Sequence, residues 1–196
     1  VTKYISSKGS ASINSSTSCL ITDLCGNTTF SITLATVNAS GTSVASSAVT
    51  NVLTRPAAPT NLSFSSATGS TASDNVSITF TPPTGDGVIT SYTSNYGTTA
   101  STSSPCLITG LAGNKNYSMT LAATNSSGTS LASSSVAVLT RPDPPSSLSF
   151  NSSSAYDRVS INFAVPSGDG TITGYTSSVG TNTTTTTPFI VTGLTG

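Results

Sequence analysis

Few residues in this chain can do chemistry. Its side-chain carboxylates are six Asp (Asp23, Asp74, Asp86, Asp143, Asp157 and Asp169), its thiols are Cys19, Cys25 and Cys106, and it has no Glu, His, Trp or Gln. Lack of His removes the usual general base and the commonest metal ligand. It also excludes Ser-His-Asp and Cys-His nucleophilic sites. The Asp are scattered, and no Lys stands beside a Ser in a pattern that would activate it. The chain is therefore expected not to be an enzyme, with no catalytic residues, no cofactor and no metal centre.

Two motifs invite a chemical reading. Pro83-Thr84-Gly85-Asp86-Gly87 recurs as Pro166-Ser167-Gly168-Asp169-Gly170. Each copy brings one carboxylate, whereas Ca²⁺ wants six to eight oxygens from several groups. No Lys-Ser/Thr follows, so neither copy is a phosphate-binding loop. Both read as turns, with Gly supplying positive φ and Asp capping the backbone. The second motif is Asn-x-Ser/Thr, at Asn14, Asn27, Asn38, Asn61, Asn75, Asn116, Asn125, Asn151 and Asn182. Such triplets are glycan acceptors when exposed on a secreted protein. Asn38 and Asn125 share one turn of the repeat and lead the candidates. Thr183–Thr187 is a candidate O-glycosylated loop or an exposed β-prone segment. Cys19 and Cys25 lie six residues apart, so a local disulfide stays open as a possibility. Cys106 aligns with Cys19 and with Phe189, which marks a core position where Cys106 is expected as a buried small hydrophobe.

The remaining composition narrows the partners. Six cations (Lys3, Lys8, Arg55, Lys115, Arg141 and Arg158) balance the six Asp. That is too few to track a phosphate backbone, so nucleic acid is not expected. No apolar run reaches the 18 residues of a membrane-spanning helix. With no initiator Met and no signal peptide, the chain is expected to be a processed form or a stretch of a longer one. Ser and Thr together number 77 of the 196 residues. Such a content can mark a mucin-like stalk, but disorder by composition needs high net charge, and here the net charge is zero.

The elements that must position these residues are strands. Val76, Ile78 and Phe80 alternate with polar residues, as do Val159, Ile161 and Phe163, Phe30, Ile32 and Leu34, and Tyr117, Met119 and Leu121. Period-two runs mark half-buried strands, and no helical stripe competes with them. The chain also repeats itself. Leu53–Phe64 (LTRPAAPTNLSF) returns as Leu139–Phe150 (LTRPDPPSSLSF), and Cys19–Ser46 returns as Cys106–Ser133. The period of about 85 residues suits one small sandwich per unit. Thr54-Arg55-Pro56 and Thr140-Arg141-Pro142 punctuate it, which divides the chain into 1–54, the later part of a repeat, 55–140, a complete repeat, and 141–196, the earlier part of a further one. Both partial ends carry the Tyr-to-Leu stretch (Tyr4–Leu24 and Tyr175–Leu194). They duplicate strands rather than supply missing ones, so a window from a longer array is expected over complementation between molecules.

In the complete unit, strands are expected near 60–64, 75–81, 89–96, 106–110, 116–124 and 133–139, with turns at 84–87, 110–114 and 125–129. This pattern resembles the fibronectin type III family. The residues that carry the resemblance are Pro59, Leu62 and Phe64 at the start, Val76-Ser-Ile78-Thr-Phe80-Thr-Pro82-Pro83, Ile89-Thr-Ser-Tyr92, Gly110-Leu111, Tyr117, Ala123-Thr-Asn125 and Gly128. Phe80 stands where the family commonly has Trp. Phe30 stands where Tyr117 sits, so the first unit cannot form the hydroxyl bond of a tyrosine corner. The resemblance implies an all-β fold of tandem antiparallel two-sheet sandwiches, on an extracellular, cell-surface or virion-surface protein.

Two functions are open. One is a structural repeat of a stalk, fibre or filament that self-associates and carries glycans; low charge leaves faces and edges free to pack. The alternative is an adhesin or carbohydrate-binding module acting through loops at the sandwich end. Its candidate aromatics outside the Tyr117 strand are Tyr4, Tyr92, Tyr96, Tyr156 and Tyr175, of which Tyr96 and Tyr156 are the least constrained by packing.

Overall fold

A computed structural model of the chain describes residues 3–15, 18–66, 75–99, 101–151, 157–180 and 187–194. Every regular element among them is a strand. The first group is β1 (Lys3–Ser6), β2 (Ser10–Ser15), β3 (Ser18–Thr22), β4 (Thr29–Ile32), β5 (Leu34–Asn38), β6 (Gly41–Thr42) and β7 (Val49–Leu53). The second is β8 (Thr60–Ser66), β9 (Val76–Thr81), β10 (Ser91–Ser94), β11 (Thr98–Thr99), β12 (Cys106–Thr109), β13 (Asn116–Met119), β14 (Leu121–Asn125), β15 (Gly128–Thr129) and β16 (Val136–Leu139). The third is β17 (Ser146–Asn151), β18 (Arg158–Ala164) and β19 (Phe189–Thr192).

The second group is a sandwich of two antiparallel sheets. One sheet runs β11-β12-β9-β8; across from it β10 pairs with β14, and β13 with β16. The alternation read from sequence is the burial pattern seen: Val76, Ile78 and Phe80 are buried, and Ser77 and Thr79 face outward. Tyr92, Cys106, Ile108, Met119, Leu121 and Val138 complete the core, with Leu62 and Phe64 packed against it. Phe80, in place of the larger indole, stacks on Tyr92 at 4.5 Å between ring centroids. The Ala112 amide donates to Tyr117 Oη at 2.9 Å, so the tyrosine corner is present in this unit.

The flanking groups repeat parts of that plan. In the first, β1 pairs with β5 in the register of β10 with β14: Tyr4 faces Thr36 as Tyr92 faces Ala123. β4 pairs with β7 as β13 pairs with β16. In the third, β17-β18-β19 is the counterpart of β8-β9-β12. Phe163 stacks on Tyr175 as Phe80 does on Tyr92, again at 4.5 Å. Residues 171–177, which align with the β10 region, form no strand.

Candidate functional site at the joints between units

The most concentrated buried polar chemistry lies where one unit meets the next. The turn after β3 brings Asn27 to positive φ (55°), and the matching turn after β12 does the same to Asn114 (52°). Asn tolerates this left-handed backbone better than most residues. Both are almost fully buried, at 1% and 4% exposure. A buried amide is favourable only where its donors and acceptors find partners. Each finds them on the following unit.

At the first joint the Asn27 amide N–H donates to Arg55 O at 2.8 Å, which ties the turn to the connector. Asn27 Nδ2 donates to Gly87 O at 2.8 Å, and Gly87 N–H returns a bond to Asn27 O at 3.1 Å. Asn125 Nδ2, at the end of β14, donates to Asn27 Oδ1 at 3.0 Å and to Thr54 O at 2.9 Å. Ser127 Oγ donates to Leu53 O. Asp86 Oδ2 accepts from Thr29 N–H at 3.4 Å.

The second joint reuses the same parts. Asn114 N–H donates to Arg141 O at 2.7 Å, and Asp169 N–H donates to Asn114 O at 2.6 Å. Asn114 Nδ2 donates to Gly170 O at 3.0 Å, and Asn116 N–H donates to Asp169 Oδ2 at 3.0 Å. The Thr of each Thr-Arg-Pro segment braces the turn from behind. Thr54 Oγ1 donates to Cys25 O and accepts from Thr28 N–H, and Thr140 Oγ1 does the same with Ala112 O and Lys115 N–H.

The repeated Pro-x-Gly-Asp-Gly segment is thus a turn, as read from sequence, and it also forms the docking tip of each following unit. Its glycines are required by contact as well as by φ. A Cβ on Gly85 (φ 134°) would lie 2.2 Å from Asn27 O, and one on Gly168 (φ 143°) would lie 2.2 Å from Asn114 O. Neither distance is tolerable for non-bonded atoms.

This geometry sorts the proposed glycan acceptors. Asn125, a leading candidate, is 3% exposed, and Asn27 is likewise enclosed; each Nδ2 is already a donor across the joint. Asn38, Asn61, Asn116 and Asn151 face solvent, and Asn75 is half-buried. Asn14 lies in β2, while Asn182, Thr183 and Tyr156 lie outside the described residues. The Cys19–Cys25 bridge left open from sequence is not formed. Cys19 is half-buried within β3, Cys25 is exposed on the turn, and all three cysteines are free thiols. Cys106 is buried in the core, and burial pushes its thiol pKa up, against a smaller opposing effect of a hydrogen bond with Ser101. Burial raises the Tyr92 hydroxyl likewise. Among the described residues no group of His, Cys, Asp or Glu could hold a metal ion. Tyr92 and Tyr175 are buried; Tyr96 is 43% exposed and stacks on Tyr117 at 5.1 Å.

The sequence reading did not single out Asn114. The signal available was the Gly-Asn pair, Gly26-Asn27 and Gly113-Asn114, kept at the shift of the repeat while its neighbours change.

Comparison with known proteins places the complete unit. Residues 57–139 match the family model described as Fibronectin type III domain. No curated protein matches the chain. Among solved structures, the crystal structure of the chicken CNTN1 FN1-FN3 domains is similar at 16% identity, with a TM-score of 0.33 over 63% of this chain and 46% of that one.

Proposed function

We propose that the chain, whose residues 57–139 match the Fibronectin type III domain family model, is a non-catalytic structural array, a segment of an extracellular or surface-exposed stalk, fibre or filament. The observation that carries this reading is the joint built twice from the same residues. A Pro-rich connector alone would leave two sandwiches free to reorient. Here buried, cross-unit hydrogen bonds fix the next unit against the last at Asn27 and again at Asn114. A protein that spans distance or bears load needs such joints. The Ser/Thr-rich composition, with few charges and zero net charge, suits an exposed material with little net field.

Small-angle X-ray scattering on the whole chain tests the reading. The wild type should give one well-defined maximum dimension. Gly85→Val and Gly168→Val, which drive side chains into Asn27 and Asn114, should broaden the distribution of dimensions while leaving circular dichroism unchanged. A broad distribution already in the wild type would refute locked joints. For the adhesin alternative, Tyr96 is the one exposed tyrosine among the described residues. Tyr96→Ala would abolish retention on a glycan array if that reading held.

A further inference from the structure

We propose that Asp86 and Asp169 are sites of isoaspartate formation, silent while the joints are docked and released when a joint opens. The proposal rests on the locked-joint reading above and adds a covalent event at the same two turns.

Of the six Asp, only Asp86 and Asp169 are followed by Gly. An Asp-Gly pair is prone to cyclise, because no Cβ shields the Gly nitrogen from the preceding side chain. In the first step the Gly nitrogen attacks Cγ of the Asp carboxylic acid. A nitrogen–carbon bond forms, and the carboxyl hydroxyl leaves with the amide proton as water, which gives a five-membered succinimide. In the second step water adds to one of the two ring carbonyls and the bond from that carbonyl to nitrogen breaks. Opening at Cγ restores Asp. Opening at the main-chain carbonyl leaves the chain running through Cβ and Cγ, as isoaspartate. Water lost in the first step is regained in the second, so no oxidant or reductant is needed.

Docking holds both reacting groups apart. At the first joint the nucleophile, Gly87 N–H, donates to Asn27 O at 3.1 Å, and the electrophile, the Asp86 carboxyl, accepts from Thr29 N–H at 3.4 Å. At the second, Gly170 N–H donates to Asn114 O at 3.4 Å beside Asp169 N–H at 2.6 Å, and Asp169 Oδ2 accepts from Asn116 N–H at 3.0 Å. Every one of these holding groups belongs to the preceding unit. Both Asp are exposed, so water for ring opening is at hand once a turn is released. The same docking requires the Gly that makes each Asp reactive. A Cβ on Gly87 would lie 2.5 Å from Asn27 Oδ1, and one on Gly170 would lie 2.5 Å from Asn114 Oδ1. The product then acts on the joint. Isoaspartate lengthens the main chain by one carbon just before Gly87, whose N–H and O both bond Asn27. A turn that isomerises while open cannot dock again in the same register, so a reversible opening becomes a one-way release.

The test is incubation of the whole chain in heavy-oxygen water at neutral pH, with peptide mass mapping of the label and of isoaspartate at each turn. A peptide of residues 82–90 supplies the unprotected rate. In the wild type, both sites should react at least about tenfold more slowly than the peptide, because only the open fraction cyclises. Asn27→Gly and Asn114→Gly remove the docking amides but suit the positive φ at those positions. Asn27→Gly should speed Asp86 by about 5- to 150-fold, up to the peptide rate, and leave Asp169 unchanged. Asn114→Gly should do the reverse. Wild-type sites as fast as the peptide, variants without acceleration, or both sites accelerated together in one variant would overturn the proposal. Scattering that still reports fixed joints would then leave the locked-joint reading intact.

Discussion

Replacing Asn27 by Ala should unlock the first joint without unfolding either unit. The substitution removes two hydrogen bonds of the buried Asn27 side chain, Asn27 Nδ2 to Gly87 O and Asn125 Nδ2 to Asn27 Oδ1. At about 0.5–1.5 kcal/mol each, they contribute about 1–3 kcal/mol to docking. Ala at φ 55° adds about 1 kcal/mol of backbone strain, for a total of about 2–4 kcal/mol. Gly87 N–H is the reporter, because it bonds across the joint to Asn27 O. If the joint opens locally, its hydrogen exchange should accelerate by about 30- to 700-fold, at 1.4 kcal/mol per decade. Asn27→Gly separates the two contributions. It removes the amide but suits the positive φ, so it should accelerate exchange by about 5- to 150-fold. Asn38→Asp, at an exposed position in a different turn, is the control and should leave Gly87 unchanged. Exchange at Gly87 in Asn27→Ala within about threefold of wild type would refute the idea that the Asn amide holds the units together.

Three further outcomes are expected. Tyr117→Phe removes the bond to Ala112 N–H and should lower the unfolding free energy of the complete unit by about 1 kcal/mol in urea titrations; unchanged stability would show the corner to be idle. Stability should be level through neutral pH and fall in alkali. The folded pKa values of Cys106 and Tyr92 are raised by burial, so their stabilisation is full below the usual thiol and phenol values of 9.0 and 10.0 and is lost as pH rises through the raised ones. Cys106→Ala should reduce the thiol part of that alkaline loss, and an unaltered profile would contradict it. In a glycosylating host, peptide mass mapping should find sugar on exposed acceptors such as Asn38, Asn116 and Asn151 but not on Asn27 or Asn125; sugar on Asn125 would mean that the first joint does not close.

Much of the fold was legible because its signals are local. Alternation at Val76, Ile78 and Phe80 is a property of the pleat, and the strands lie within a few residues of their expected positions. The Pro-x-Gly-Asp-Gly turn was legible for the same reason. Its docking role was not, because Gly87 and Asn27 are 60 residues apart in the chain. Asn125 shows the limit most plainly. As a triplet in an exposed turn it reads as a glycan acceptor, yet Asn27, 98 residues away, takes its amide out of solvent. Phe30 worked the other way: the loss of a hydroxyl was visible in the residue itself.

By itself, the sequence determined the strands and the repeat. Period-two patterns mark strands, and their return at about 85 residues marks a repeated unit. Only the tertiary structure decided which polar residues matter. In a chain where two residues in five are Ser or Thr, almost any side chain could bond to something. A buried Asn is singled out because water is excluded around it, and an amide without water must be matched donor for acceptor. That matching is done by the next unit, and the folded joint is what brings its residues within reach.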